Sequence, residues 1–187
     1  MDTAPVSGRR AQYHLRTALP ADADCVSGLS ILVFLTTYAA DGMRADLARE
    51  ALTTCGVAHV ADALADPRQR LTLAESEGHL LAFSQLSLVA TRATEAVPTG
   101  LELVRLYVHP AFQRHGLGRL LLTDTAAQAR SLGLPLWLTA WSENRRALDF
   151  YRAVGFRDIG AKPYIFESHM YENRILFRPT DPAFATT

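Results

Sequence analysis

Apolar positions recur along this chain with two periods, and each change of period marks a new element. Residues 13–17 alternate weakly and predict a short first strand. Pro20 then opens a helical stretch with Asp22 and Asp24 in its first turn, where a helix dipole favours negative charge. Val26, Leu29, Val33, Phe34 and Tyr38 follow at helical spacing, and Asp41-Gly42 ends the run. A second helical region covers about 44–66, in two pieces if Gly56 divides it, and Pro67 closes it.

The period then changes to two. Residues 71–75 and 80–89 predict strands around the turn signal Glu77-Gly78, and the polar stretch 90–100 predicts a loop. Residues 101–108 form a clear strand pattern ending at His109-Pro110. Helical spacing returns over 116–132 and stops at Gly133 and Pro135. Residues 134–141 are nearly all apolar, as suits a strand covered on both faces. Ser142 or Asn144 can cap a last helix, ended by Gly155, and strands at 157–166 and 169–178 follow. The sum is an α/β domain of about seven strands and four helices. Its second half carries a parallel strand pair joined by a right-handed crossover.

The length of 187 residues suits one domain with a real core. Residues 1–11 read as a flexible arm, 12–178 as the domain and 179–187 as a tail. The 19 Lys and Arg balance 19 Asp and Glu, so no basic excess points to nucleic acid. Cys25 and Cys55 are too few for a disulfide framework. The histidines, at 14, 59, 79, 109, 115 and 169, lack metal-ligand spacing, so no metal site is expected. The start of the chain lacks the apolar core of a signal peptide, and the apolar run near 31–35 is too short to cross a bilayer. A cytoplasmic protein without membrane contact is the expectation.

The candidate chemistry lies where strand 101–108 passes through a glycine loop into a helix. Free amides and a positive dipole make a helix start an anion site. Gly116 and Gly118 clear side chains from it, while Gln113, Arg114 and Arg119 add donors. A P-loop is excluded because Arg119-Leu120 follows Gly118, and a dinucleotide fingerprint because position 121 is Leu. Taken alone, Gly-x-Gly before a helix equally describes a tight packing turn. Downstream, Asn144, Ala147 and Tyr151 share one helical face.

Two blocks together resemble the GNAT superfamily of N-acetyltransferases. One is Glu102-Leu103-Val104-Arg105-Leu106-Tyr107-Val108, His109-Pro110 and Gln113-Arg114-His115-Gly116-Leu117-Gly118. The other runs from Trp141 through Asn144, Ala147, Phe150 and Tyr151 to Gly155-Phe156. The resemblance implies a mixed, mostly antiparallel seven-stranded sheet whose central parallel strands splay at a bulge near 104–106. The pantetheine arm of acetyl-CoA, the co-substrate, would lie in that gap on main-chain groups of Leu106 and Val108, with an oxyanion-binding amide at Tyr107 or Val108. Amides of Arg114, His115, Gly116, Leu117, Gly118 and Arg119 would hold the pyrophosphate, with Gln113 beside them and Asn144 and Ala147 turned to the cofactor.

Tyr151 takes the place of the family's general acid, or is a packing aromatic. Glu102 takes that of a general base, or is a second-line carboxylate. Phe34 and Tyr38 would frame the acceptor. The implied activity is acetyl transfer to a primary amine by direct attack in a ternary complex, with a small amine or polyamine as acceptor. The alternatives are a protein or peptide amine, or a non-catalytic acyl-CoA-binding domain on the same fold. A homodimer is also common in the family.

Overall fold

Alternating apolar residues become strands wherever a neighbour can complete their hydrogen bonds, and here they join one seven-stranded sheet. The computed structural model describes residues 12–166 and 169–180. The arm at 1–11, and the tail beyond 180, lie outside the described residues. In chain order the elements are β1 (His14–Thr17), α1 (Ala23–Tyr38), α2 (Ala45–Thr54), α3 (Val57–Ala65), β2 (Gln69–Ser76), β3 (His79–Thr91), β4 (Gly100–Val108), α4 (Leu117–Ser131), β5 (Leu136–Trp141), α5 (Arg145–Ala153), β6 (Arg157–Phe166) and β7 (His169–Arg178). The sheet order is β1-β2-β3-β4-β5-β7-β6, and β4–β5 is its parallel pair.

Two details differ from the sequence pattern. Pro20 opens a short 3-10 turn, Pro20–Asp22, and α1 begins after it. Asp22 accepts from the Leu19 amide and from the Arg16 guanidinium at 2.7 Å, a better-matched partner than a helix dipole. Arg16 also holds Glu75 at 2.6 Å, which ties β1 to β2. Gly56 does divide the second helical region. A Cβ there would lie 2.2 Å from the Leu52 carbonyl oxygen, so another residue would have to shift the backbone.

Helices cover both faces of the sheet. On one face Val26, Leu29 and Val33 of α1 and Val60 of α3 pack on Leu71, Leu73 and Phe83. On the other, Leu122 and Ala129 of α4 and Leu148 and Tyr151 of α5 pack on Leu101, Leu103, Leu138 and Leu176.

The central pair is where the sheet opens. β4 and β5 pair at Leu101 with Leu136 and at Glu102 with Trp137, and then diverge. Beyond that point β5 stays with β7 as far as Trp141, and β4 stays with β3 as far as Val108. The divergence begins at a bulge. Gln85 of β3 faces Arg105 while Leu86 faces Leu103, so Val104 is the extra residue. Arg105 pins this kink by donating to Gln85 Oε1 at 2.6 Å and to the Thr54 carbonyl, at the end of α2, at 2.8 Å.

Gly100 sits at the closed end of the gap. A Cβ there would meet the Pro135 carbonyl oxygen at 2.6 Å, beside the Leu101 amide that donates to that oxygen at 2.9 Å. Gly100→Ala is therefore expected to lower stability by about 1–3 kcal/mol in denaturant unfolding, as overpacking does. A change below about 0.5 kcal/mol, the range of ordinary surface substitutions, would show that the strands close without a glycine.

Candidate active site

The gap has a free main-chain edge on the β4 side. The His109 amide donates to the Leu81 carbonyl of β3 at 2.8 Å. By alternation, Arg105 and Tyr107 also turn their main chain towards β3, and Leu106 and Val108 turn theirs into the gap. This separates the three strand residues assigned to the cofactor. Leu106 and Val108 face the gap, whereas the Tyr107 amide does not. The Tyr107 ring packs on Phe83, with centroids 5.5 Å apart, and burial raises its phenol pKa. Of the two amides considered for an oxyanion, that of Val108 faces the gap and that of Tyr107 faces β3.

Gln113 is held by the chain itself. Its Nε2 donates to the Val108 carbonyl at 3.2 Å, so the side chain braces the loop against the strand end. Further along, Arg114 and Gly116 both take left-handed backbone, with φ of 68° and 88°. Such reversals line up successive amides in a concave nest that suits an anion. Among the described residues the amides of Arg114 to Arg119 donate to no other group, and the first helical bond is from Leu120 to Gly116. The two glycines serve different ends. Gly116 supplies the left-handed turn, with open space where a Cβ would be. Gly118 supplies room, since a Cβ there would touch Phe150 of α5 at 3.4 Å. The Arg114, His115 and Arg119 side chains are exposed, and Leu117 anchors the loop in the core.

The α5 helix starts with Asn144, whose Oδ1 accepts the Ala147 amide at 3.1 Å. Its side-chain oxygen therefore caps the helix, which leaves the NH2 group to donate to a ligand. Ala147 packs beside Tyr151 on the inner face. Tyr151 is 8% exposed, between Phe150 and Phe156 at centroid distances of 5.3 and 5.5 Å. Burial first, and Tyr38 second, raise its phenol pKa. Its hydroxyl has no hydrogen-bond partner among the described residues.

Tyr38 and Tyr151 come from helices on opposite faces of the sheet, yet each phenol lies within electrostatic reach of the other. The gap between β4 and β5 is the opening between those faces. On the α1 side Phe34 stacks on Tyr38 at 4.7 Å, Tyr38 meets Trp141 at 5.3 Å, and Trp141 meets Tyr171 at 6.2 Å. Phe34 and Tyr38 are the residues that the resemblance sets around an acceptor, and the structure places Trp141 and Tyr171 beside them. Polar bonds close this side. Arg44 donates to the Tyr171 hydroxyl at 2.9 Å, and Tyr164 donates to Glu50 at 2.7 Å. These partners lie more than a hundred residues apart, so no local pattern announces them.

Glu102 lies at the closed end of the gap, opposite Trp137, and its carboxylate makes no hydrogen bond among the described residues. Burial raises its carboxyl pKa above the ordinary carboxylate range, and the charge of Lys162 opposes that shift. Lys162 Nζ lies 5.5 Å from the centre of the Trp137 ring. Among the described residues no cluster of His, Cys, Asp and Glu could hold a metal, and no helix is long and apolar enough to cross a membrane.

A splayed parallel pair with an amide nest at its mouth defines a class that holds an extended phosphate-bearing donor inside a sheet. Residues 38–156 match the acetyltransferase (GNAT) family model, and the chain belongs to that family. It is an acyl-CoA-dependent acetyltransferase, with acetyl-CoA as co-substrate. An uncharacterised N-acetyltransferase of Lactobacillus delbrueckii subsp. lactis is 27% identical over 123 residues, 65% of this chain and 71% of that protein. The N-alpha-acetyltransferase RimI of Mycobacterium tuberculosis is 33% identical over 99 residues, 53% of this chain and 59% of that protein. Among solved structures, PaiA N-acetyltransferase from Thermoplasma acidophilum, in complex with coenzyme A, shares the fold. Its TM-score is 0.75 at 16% identity, over 90% of this chain and 99% of that one.

Proposed function

We propose that the protein transfers the acetyl group of acetyl-CoA to a small primary amine by direct attack in a ternary complex. The opening through the sheet carries this reading, because it joins the amide nest on Arg114–Arg119 to the aromatic chamber of Phe34, Tyr38 and Trp141. The diphosphate sits on the nest, and the amide-bearing arm completes the ladder that Leu106 and Val108 leave open. The Val108 amide steadies the negative charge that develops on the acetyl oxygen. Tyr151 keeps its proton through the neutral range and gives it to the departing thiolate.

Two named proteins of this kind point to a different acceptor, an N-terminal amine of a protein. They are RimI and the ribosomal-protein-S18-alanine N-acetyltransferase of Escherichia coli, the latter matching with TM-score 0.66 at 18% identity. The bonds of Arg44 to Tyr171 and of Tyr164 to Glu50 favour a small acceptor, since they bridge the side on which a peptide would lie. A free-thiol assay with acetyl-CoA against polyamines, amino acids, aminoglycosides and peptides tests this. Turnover with a small amine well above that with peptides is expected. Peptide-only turnover would move the acceptor assignment, and no thiol release with any amine would leave a binding domain.

The amine must lose its proton, because an alkylammonium with a pKa near 10.4 is about one part in a few thousand neutral at pH 7. Glu102 is the base in this scheme. As its carboxyl pKa is raised by burial, it is protonated and inactive to a higher pH than an ordinary carboxylate. The acidic limb of kcat/KM is expected above the ordinary range. Glu102→Gln removes that limb, and Lys162→Met moves it to higher pH by deleting the charge that favours ionisation. An unaltered limb in Glu102→Gln assigns the proton to water or another group.

A further inference from the structure

A groove of about 450 Å³ lies between α4 and α5, walled by Arg119, Arg130, Arg152 and Arg178, and among the described residues no carboxylate lines it. Ala129, with only a methyl group, and Gly155, with no side chain, are among its lining residues. Arg152 is neutralised from outside by Asp149 at 3.1 Å, with Asp158 at 3.9 Å. Arg119, Arg130 and Arg178 have no ion-pair partner among the described residues.

Helix chemistry accounts for only part of this. Arg130 stands in the last turn of α4, where exposed carbonyls favour a cation. Arg178 ends a strand and gains no such field. It is half-buried. Burial first, and the Arg130 charge second, disfavour its charged form. Two cations facing one cavity without a counter-charge repel one another, and a bound anion removes that cost.

We propose that the groove between α4 and α5 is a second anion site, separate from the acetyl-CoA gap, that takes a small phosphorylated metabolite on Arg130 and Arg178. Guanidinium forks match phosphate oxygens in pairs. The volume falls in the usual range for small-ligand sites, roughly 300–1,000 Å³. Arg119 stands at the end of the groove nearest the nest, and Arg130 lies eleven residues further along the same helix. That is a rise of about 16 Å, so the Arg130 end is set well apart from a diphosphate on the nest.

The test uses the full chain saturated with acetyl-CoA and titrated with inorganic pyrophosphate by calorimetry. Saturable binding that weakens with salt is expected, and acetyl-CoA affinity stays unchanged. Arg130→Gln and Arg178→Gln should each weaken pyrophosphate by about tenfold, the loss of one charge-assisted pair. Arg130 is exposed, so its variant tests the site even if Arg178→Gln fails to fold. No saturable binding at millimolar pyrophosphate overturns the site, and so does equal binding by the Arg130 variant. If both variants instead weaken acetyl-CoA but not its 3′-dephospho form, the groove belongs to the donor's own phosphate and the separate site is wrong.

Discussion

Replacing Tyr151 with Phe is expected to lower kcat by roughly 10²-fold or more, within the range for loss of a general acid, while acetyl-CoA affinity is kept. The substitution separates the two readings of this residue. As a packing aromatic, Tyr151 contributes its ring against Phe150 and Phe156, and Phe supplies the same ring. Its hydroxyl bonds to nothing among the described residues, so deleting it breaks no structural hydrogen bond. Stability should hold or rise slightly. A collapse in turnover without a fall in stability then has one source, the proton on that oxygen. Pre-steady-state thiol release and an unfolding curve on the same variant decide it. Wild-type turnover would remove Tyr151 from the mechanism.

Gly118→Asp is expected to weaken acetyl-CoA by more than about 10²-fold. A carboxylate near 4 Å from a phosphate charge costs about 4 kcal/mol at an effective dielectric of 20, and 1.4 kcal/mol is tenfold in affinity. The same charge suits the first turn of α4 by about 0.3–1 kcal/mol, so the variant should fold. Gly118→Ala is the control. Its Cβ meets the Phe150 ring at 3.4 Å, at the edge of ordinary contact, so any loss should be small. Unchanged donor affinity in the Asp variant, by calorimetry, would move the diphosphate away from this helix start.

Much of this was legible before any coordinates. Strand 101–108, the loop and the helix after it follow from local period and glycine placement, and the motif resemblance fixed where the strands part. The bulge at Val104 fell within the stretch marked for it. What stayed hidden was the use made of each polar group. Gln113 looks like a ligand donor in sequence, yet its side chain also serves the chain's own carbonyl, whereas the cap that Asn144 forms was legible. Tyr107 sits between two residues whose main chain faces the gap and turns its own towards β3, as period-two alternation requires. Arg105, Tyr171 and Glu50 act through partners far along the chain, and pattern within a window cannot pair them.

The bulge and the short ladder at Leu101 and Glu102 have a wider consequence. With so brief a seam, the sheet behaves as two pages bound near one corner. The incoming donor is the thread that stitches the rest of the spine. Affinity for acetyl-CoA and resistance of the central sheet to unravelling are then one quantity measured from two sides, because whatever binds the closed book and not the torn one strengthens it.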